Sequence, residues 1–553
     1  MNFKSKYFYF LCVAVGLYLF IYIPVVKNCS FVADDLPVIF FSNENPLPIA
    51  SYWENGLEKL IPELQIAHNH YRPLTSLFAF LSFKLFDFNS SLWSLFSQIL
   101  NLVNFLLIIV VTQQICILFK KKENYIGYFI AVLYLLYPGN VTNLAWISAR
   151  TDLLVILFSL SSFYFTLKFI QSDRKSFLTI SAAIYLLGLF TKENAISWFV
   201  VEFVLIWQIY RLLNSPPLIF SSLVKVLNVK ASTCIIYVLF RSAIAMIDTK
   251  SAFKEFNIVT TITAYFKSLL FTLLPVDSGT FIYMYASSPG IFTVCFFLFF
   301  SALVYLAYIL LSGKEKFVMS FIFLLITAST LSFYAVAGGG TYRLFALTFV
   351  STLLFSHNLI ISKKINLPFK ISFAMLFVFF VAGSYKLSDY WIENYKLQNE
   401  CLTSLEKIYE KDKDNIIINY PHSLGQAYCF SDISVYLFFK MNGTIGRYNN
   451  VTSLAAINSY DKADYIKQNR IEKYNEVLIV TSDFNDTYFS HEPFFTEKSM
   501  LGEKYTNLKN YTFEVLKLNS FSKPLSYKIN YSGINRSNAN YIEFTEGKFK
   551  KFE

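Results

Sequence analysis

Two carboxylates stand side by side, Asp34 and Asp35 in the stretch FVADDLPVIFF, a few residues after the first long apolar run of a 553-residue chain. The remaining polar chemistry comes in short packets at the ends of apolar runs. These are His68, His70 and Arg72 in HNHYRPLTSL, Arg150 and Asp152 in WISARTDLL, Lys192 and Glu193 in LFTKENAIS, and Arg343 in GGGTYRLF. A carboxylate can take the proton from an attacking hydroxyl. Arg and Lys can hold a phosphate, Arg through a bidentate fork. When a group leaves a phosphate, negative charge builds on the phosphate oxygen, and cations already in place stabilise that transition state more than the ground state. Each packet also has a plainer reading. The two acids can simply be solvated beyond a helix end, Arg72 can snorkel from an amphipathic helix, and Arg150 can anchor a helix at the interface. Lys192 with Glu193 can be a structural pair, and Gly338–Gly340 can be only a turn. His68 and His70 lack a third metal ligand nearby, which favours a surface role.

The elements that must position these residues are set by composition. The chain is 55% hydrophobic, 19% aromatic and only 15% charged, with a mean hydropathy of +0.45, too apolar for a soluble domain. Its formal net charge of +11 is dispersed as small basic clusters between apolar runs, not gathered into a nucleic-acid-binding stripe. The expected fold class is therefore a polytopic α-helical membrane protein. About 11 segments qualify as transmembrane helices. They run from Tyr7 to Val26, Leu92 to Phe119, Tyr125 to Pro138, Leu153 to Ile170, Phe177 to Phe190, Ile196 to Tyr210, Ala231 to Ile247, Ile291 to Leu311, Phe317 to Ala337, Leu344 to Ile361 and Phe369 to Tyr385. Of these, the Tyr125 and Phe177 segments are short for a full crossing. The first follows Lys4 and Lys6 without a small-residue cleavage site, and reads as a retained anchor with its start in the cytoplasm. KKKEN, SDRKS, RLLNSPP, GKEK and SKKINLPFK then all fall in cytoplasmic loops, provided that Ile262 to Pro275 lies in the interface or re-enters. In this topology the charged packets share the outer side.

Composition shifts near Tyr385, where Lys, Asn, Asp and Glu become frequent. The expected division is a transmembrane domain over 1–386, with a first outer loop at 27–91, and a soluble extracytoplasmic domain over 387–553. NIIINYP, EVLIVTSD and YTFEVLKL read as strands, and ADYIKQNRIEKYNEV reads as a helix, giving a small α/β or α+β domain. Cys401 and Cys429 share this domain and can pair if the compartment is oxidising. No metal-ligand spacing of Cys and His occurs.

Four stretches taken in order, ADD, YRPLTSLFAFLSFKLF leading into FSQILNLVNFLLIIVV, NVTNLAWISARTDLLVILFSLSSFYF, and LGLFTKENAIS, resemble the GT-C superfamily of integral membrane glycosyltransferases. The closest likeness is to the transmembrane and tetratricopeptide-repeat O-mannosyltransferases and their bacterial relatives. YFKSLLFTLLPVDSG and TYRLFALTF add weaker echoes. The resemblance implies a polyprenyl-phosphate sugar as donor and an acidic motif after the first span. Asp35, with Asp34 beside it, would engage the acceptor, Asp35 as general base. Arg72, Arg150, Lys192 and Arg343 would line the phosphate end of the donor, with Asp152 and Glu193 orienting them. The tail lacks tetratricopeptide repeats, and SQILNLVNF carries Gln98 and Asn101 where relatives often have a histidine. A glycan acceptor such as lipid-linked O-antigen is thus favoured over a protein one, in a bacterial inner membrane with the tail in the periplasm.

Adjacent acids can also help hold a divalent ion such as Mg2+ or Mn2+; the several outer cations favour a metal-free mechanism. The rival from another class is a flippase or transporter for lipid-linked sugars, which calls for ionisable residues near the bilayer midplane and an internal repeat. Most of the charges instead cluster at one surface, and no internal repeat is visible. A glycan polymerase or ligase using a diphosphate donor also needs outer Arg residues, but the early acidic pair argues against it.

Overall fold

The computed structural model describes residues 5–32, 35, 39, 72–121, 124–213, 217–245, 258–274, 281, 288–311, 316–336, 345–361 and 367–410, and beyond them the strands between 413 and 552 with short neighbouring residues. Asp34, His68, His70, Gly338–Gly340, Arg343 and Cys429 lie outside the described residues, so the readings made on them have no structural counterpart here. Leaving aside stretches outside the described residues, the chain forms two compact units. One comprises Met1–Lys27 and Ala67–Ser388, the other Asn28–Phe41 and Asp389–Glu553.

The first unit is helical. In chain order its helices are α1 (Ser5–Asn28), α2 (Pro73–Phe86), α3 (Ser90–Leu118), α4 (Tyr125–Leu135), α5 (Gly139–Ala145), α6 (Arg150–Ser172), α7 (Lys175–Thr191), α8 (Ser197–Leu213), α9 (Pro217–Ala245), α10 (Ile258–Leu273), α11 (Pro289–Leu311), α12 (Lys316–Val336) and α13 (Ala346–Ile360). A last helix, α14 (Leu367–Ile408), begins in this unit. Among the described residues seven helices are long and apolar enough to cross a membrane, eight if α4 and α5 count as one bent span. The protein is a multi-pass membrane protein. Three further apolar helices, α7, α12 and α13, occupy the remaining expected segments. Helix α10 covers the stretch expected not to span; its 16 residues extend about 24 Å, short of a hydrocarbon core of roughly 30 Å.

The short Tyr125 segment has a physical explanation. Helix α4 stops after 11 residues and α5 leaves it at 58°, with Pro138 at the break. Backbone groups freed inside a membrane must find partners within the protein. Here the Leu136 carbonyl accepts from Ser384 Oγ at 2.9 Å, and the Tyr134 carbonyl accepts from Asn140 Nδ2 at 3.0 Å. Tyr137 stacks on Phe349 with ring centroids 3.9 Å apart and donates its hydroxyl to the Thr272 carbonyl at 3.1 Å. The break is therefore held by α5, α10, α13 and α14.

Two sequence readings are corrected. The span expected from Ala231 starts earlier, at Ser221 in α9, which moves Lys230 from a flank to the middle of the helix. Lys230 and Glu202 form an ion pair at 3.3 Å, each side chain 1% exposed, so ionisable groups are not confined to one surface. Hydrophobicity alone pushes a predicted span boundary past a lysine, but a charge whose counter-ion sits on the facing helix can lie within it.

In the second unit the described strands make two sheets. The first runs β11-β10-β1-β3-β6, with β1 (Asp414–Leu424) parallel to both β3 (Val451–Ser459) and β10 (Ala539–Thr545), β2 (Ala427–Tyr428) beside β1, and β6 (Tyr488–Ser490) and β11 (Lys548–Lys551) antiparallel at the edges. The second is antiparallel, in the order β4 (Arg470–Tyr474), β5 (Val477–Thr481), β9 (Pro524–Asn530), β8 (Thr512–Leu518) and β7 (Lys504–Thr506). NIIINYP, EVLIVTSD and YTFEVLKL all form strands as expected. The last part of the expected helix ADYIKQNRIEKYNEV is instead strand β4, paired with β5 so that Tyr474 faces Val477. The stretch reads as helical in sequence because its charged residue types suit the polar face of a helix as readily as an edge strand.

Candidate functional site

Helix α2 opens with Pro73 at its first turn, a position where the missing N–H is not needed. Its composition works inside out. Ser76, Ala79 and Ser82, three residues apart, are buried, while Leu81 and Leu85 are 47% and 75% exposed. A helix that turns small and hydroxyl side chains to the protein and leucines outward suits an apolar surrounding. The small face lets α2 approach α7, and Thr75 Oγ1 donates to the Thr191 carbonyl at 2.7 Å.

That contact brings Arg72 to the turn after α7. The Arg72 guanidinium grips Glu193 through both carboxylate oxygens, the Nε–Oε2 bond being 2.9 Å. This fork-to-fork geometry is the strong form of the Arg–carboxylate contact. One residue earlier, Lys192 Nζ lies 2.6 Å from Asp152 Oδ1, with the two side chains 8% and 5% exposed. Asp152 sits in the first turn of α6, where the helix dipole favours a carboxylate. Two residues before it, Arg150 lies over aromatic rings, its Cζ 4.7 Å from the Trp93 centroid and 5.4 Å from that of Phe96. Its Nη1 donates to Ser82 Oγ at 3.3 Å, and that hydroxyl donates on to the Phe78 carbonyl at 2.7 Å. Trp93 is itself fixed by Nε1 donating to the Asp87 carbonyl at 2.7 Å.

Five of the eight candidate residues, Arg72, Arg150, Asp152, Lys192 and Glu193, thus form one cluster, built from the start of α2, the start of α6 and the turn between α7 and α8. Three cations and two acids leave one excess positive charge at this end of the bundle. Both acids hold cations in place, which fixes guanidinium and ammonium groups without a further partner having to order them. Sequence reasoning missed Thr75, Ser82, Trp93 and Phe96, which carry no charge and resemble ordinary membrane residues; the aromatic pair three residues apart near the start of α3 was the only signal.

Asp35 belongs to the second unit. It is fully buried. Its Oδ2 accepts from the Val32 backbone N–H at 3.0 Å while its own N–H donates to the Val32 carbonyl at 2.9 Å, a reciprocal turn that fixes the carboxylate. The preceding residues are fastened to α14: Gln398 Nε2 donates to the Phe31 carbonyl at 2.6 Å, and Ser30 Oγ donates to Asn399 Oδ1 at 3.4 Å. Among the described residues no group of three or more His, Cys, Asp or Glu is placed to hold a metal ion.

No protein-family model and no curated protein matches the chain. Among solved structures it is similar to an apo oligosaccharyltransferase from Archaeoglobus fulgidus, at 12% identity over 75% of this chain and a TM-score of 0.40. The chain spans 62% of the length of that protein. It is also similar to ArnT from Cupriavidus metallidurans, in the apo state at 8% identity and a TM-score of 0.43, and bound to undecaprenyl phosphate at 9% and 0.40. Each ArnT comparison covers 84% of this chain and 96% of the other.

Proposed function

We propose that this protein is a membrane glycosyltransferase of GT-C type, moving a hexose from a polyprenyl-phosphate sugar to a glycan acceptor such as lipid-linked O-antigen, at the periplasmic face of a bacterial inner membrane. The observation that carries this reading is the cluster in which Arg72 is forked to Glu193 and Lys192 is paired with Asp152, beside the stacked Arg150. These groups come from three stretches, of which the first and last are 121 residues apart, yet they converge where three helices end, with an excess of positive charge.

In this mechanism Arg72, Arg150, Lys192 and Arg343 hold the donor phosphate. Their charge offsets the negative charge that grows on the leaving phosphate oxygen as the bond to the sugar breaks. Asp152 and Glu193 keep the cations oriented. Asp35, with Asp34 beside it, takes the proton from the acceptor hydroxyl as that oxygen attacks the sugar. The cationic side chains favour doing this work without a divalent ion; Mg2+ or Mn2+ held with the help of the acidic pair is the alternative that the chelator arm below tests.

One observation favours a second reading. The buried Glu202–Lys230 pair is the kind of mid-membrane charge that a flippase for lipid-linked sugars would use. Vesicles containing the protein, given radiolabelled polyprenyl-phosphate hexose and candidate lipid-linked glycans with and without a chelator, separate the two. Transfer of label to the glycan, lost in Asp35→Asn with membrane insertion intact, is the expected result. Movement of labelled lipid between leaflets without bond exchange overturns it in favour of the flippase. Full turnover in the Asp34→Asn/Asp35→Asn variant removes the proposed base.

A further inference from the structure

Four helices of the first unit meet in a polar knot well away from the charged cluster. Glu202 lies near the midpoint of the 21-residue span Glu193–Leu213, and Lys230 near the midpoint of the 22-residue span Ser221–Ser242. Around the pair, the Thr166 hydroxyl of α6 donates to Glu202 Oε1. Lys230 donates to the Ser162 hydroxyl of α6 and to the Ser181 carbonyl of α7, the latter at 3.4 Å. Thr166 and Ser181 bond each other at 2.8 Å, and Ser181 Oγ donates to the Ser162 carbonyl at 2.8 Å. Ser162, Thr166 and Ser181 are all fully buried.

Such a knot has a narrow tolerance. Sliding any one helix by a residue moves its group about 1.5 Å along the axis and turns it by roughly 100°, which leaves an ionised or hydroxyl group facing hydrocarbon. Buried charges that are paired, with hydroxyl groups bonded around them, therefore set register more than they add stability. The three helices α6, α7 and α8, held together here, are those whose ends carry Asp152, Lys192 and Glu193.

A second connection runs directly from the knot to that end. The Lys230 ammonium lies 4.9 Å from the centroid of the Tyr185 ring. The Tyr185 hydroxyl, at the far edge of the ring, is 3.2 Å from the carbonyl of Ile196, to which it donates, and 3.0 Å from Cys234 Sγ of α9. Ile196 is the last residue of the one-turn helix Glu193–Ile196, which begins immediately after Lys192. One rigid aromatic side chain thus rests on the buried ammonium and bonds to the turn that bears the Arg72 partner.

We propose that the Glu202–Lys230 pair, acting through Tyr185, is a positioning device that sets the height and angle of the Lys192–Glu193 turn. Its effect on donor use rests on the function proposed above; its effect on the turn does not. Tyr185→Phe keeps the ring over Lys230 and deletes only the hydroxyl, with its contacts to the Ile196 carbonyl and Cys234 Sγ. Glu202→Leu/Lys230→Met removes both charges together, a change that buried ion pairs often tolerate without loss of stability. Thr166→Val/Ser181→Ala keeps the ion pair and the Lys230–Ser162 bond, and cuts the Thr166 bond to Glu202 and the hydroxyl link between α6 and α7.

Hydrogen exchange of the backbone amides from Thr191 to Ser197, measured by mass spectrometry on the full chain in detergent or nanodiscs, reads the turn without any substrate. The expected result is faster exchange in all three variants, with melting temperature unchanged in Tyr185→Phe. In the transfer assay KM for polyprenyl-phosphate hexose is expected to rise by roughly tenfold with a smaller change in kcat, the pattern of a displaced binding group. Wild-type exchange at Thr191–Ser197 in Tyr185→Phe and in whichever of the other two variants folds overturns the proposal. Absence of transfer in the wild-type protein counts against the transferase reading alone, since the exchange measurement still decides this one.

Discussion

Lys192 and Asp152 offer a sharp division between what holds the fold and what serves the chemistry. At 2.6 Å the two charges attract by about 6 kcal/mol at an effective dielectric near 20. Both side chains are almost fully buried, so the several kcal/mol needed to strip water from each ion cancel most of that gain. The pair as a whole contributes little net stability. Breaking it on one side is different: Asp152→Asn leaves the ammonium buried without its carboxylate, and is expected to cost about 3–5 kcal/mol. Asp152→Leu/Lys192→Met removes both charges and is expected to melt near the wild-type temperature. Donor use follows another rule. A lysine bonded to phosphate is worth about 1.5–3 kcal/mol, so kcat/KM for polyprenyl-phosphate hexose should fall roughly tenfold to a hundredfold in the double variant despite its recovered stability. Thermal unfolding by tryptophan fluorescence and label transfer in vesicles measure the two quantities. A double variant that melts normally and turns over donor normally would refute the assignment of Lys192 to the phosphate.

Arg150→Lys keeps the charge but loses the guanidinium's contact with the Trp93 and Phe96 rings, so donor KM should rise several-fold with little change in melting; Trp93→Leu should do the same if that contact is what aims the guanidinium. Leu81→Asp/Leu85→Asp puts charge on the outward face of α2 and should weaken its hold on the apolar surrounding, seen as faster proteolysis between residues 72 and 90 in vesicles. Gly127→Ala should destabilise by about 1–3 kcal/mol, since a methyl there would overlap Asn124 and Thr112, whose side chains bond at 2.9 Å to join α3 with the start of α4. In the second unit, Lys413 and Lys551 bond Glu410 and hold its carboxyl below the usual range. The lowered folded-state value means that Glu410 contributes stability above about pH 4.3, lost as pH falls through the folded value. Glu410→Gln should flatten that acid limb, by a small amount that salt erases because the group is exposed, as melting curves across pH 2.5–5.5 (about the carboxylate range) would reveal.

Hydrophobicity along the chain was enough to determine that this is a multi-pass helical membrane protein with a polar, strand-forming tail, because a bilayer selects spans by length and apolar content without regard to what they touch. It was enough, too, to single out Arg72, Arg150, Asp152, Lys192 and Glu193, since a charge beside an apolar run is conspicuous. Pairing was not legible: that Arg72 meets Glu193 depends on α2 turning its serines and alanine inward, and that Lys192 meets Asp152 depends on α6 lying against α7, which only packing decides. Trp93 and Ser82 look like any other membrane residues until Arg150 is laid across one and bonded to the other. Lys230 was misread as a flank because its counter-charge, Glu202, lies on another helix, and Arg470–Tyr474 was misread as helix because its strand partner β5 completes it. In each case local sequence fixes which groups need a partner, whereas the partner's identity is a property of helices and strands that meet only after the chain has folded.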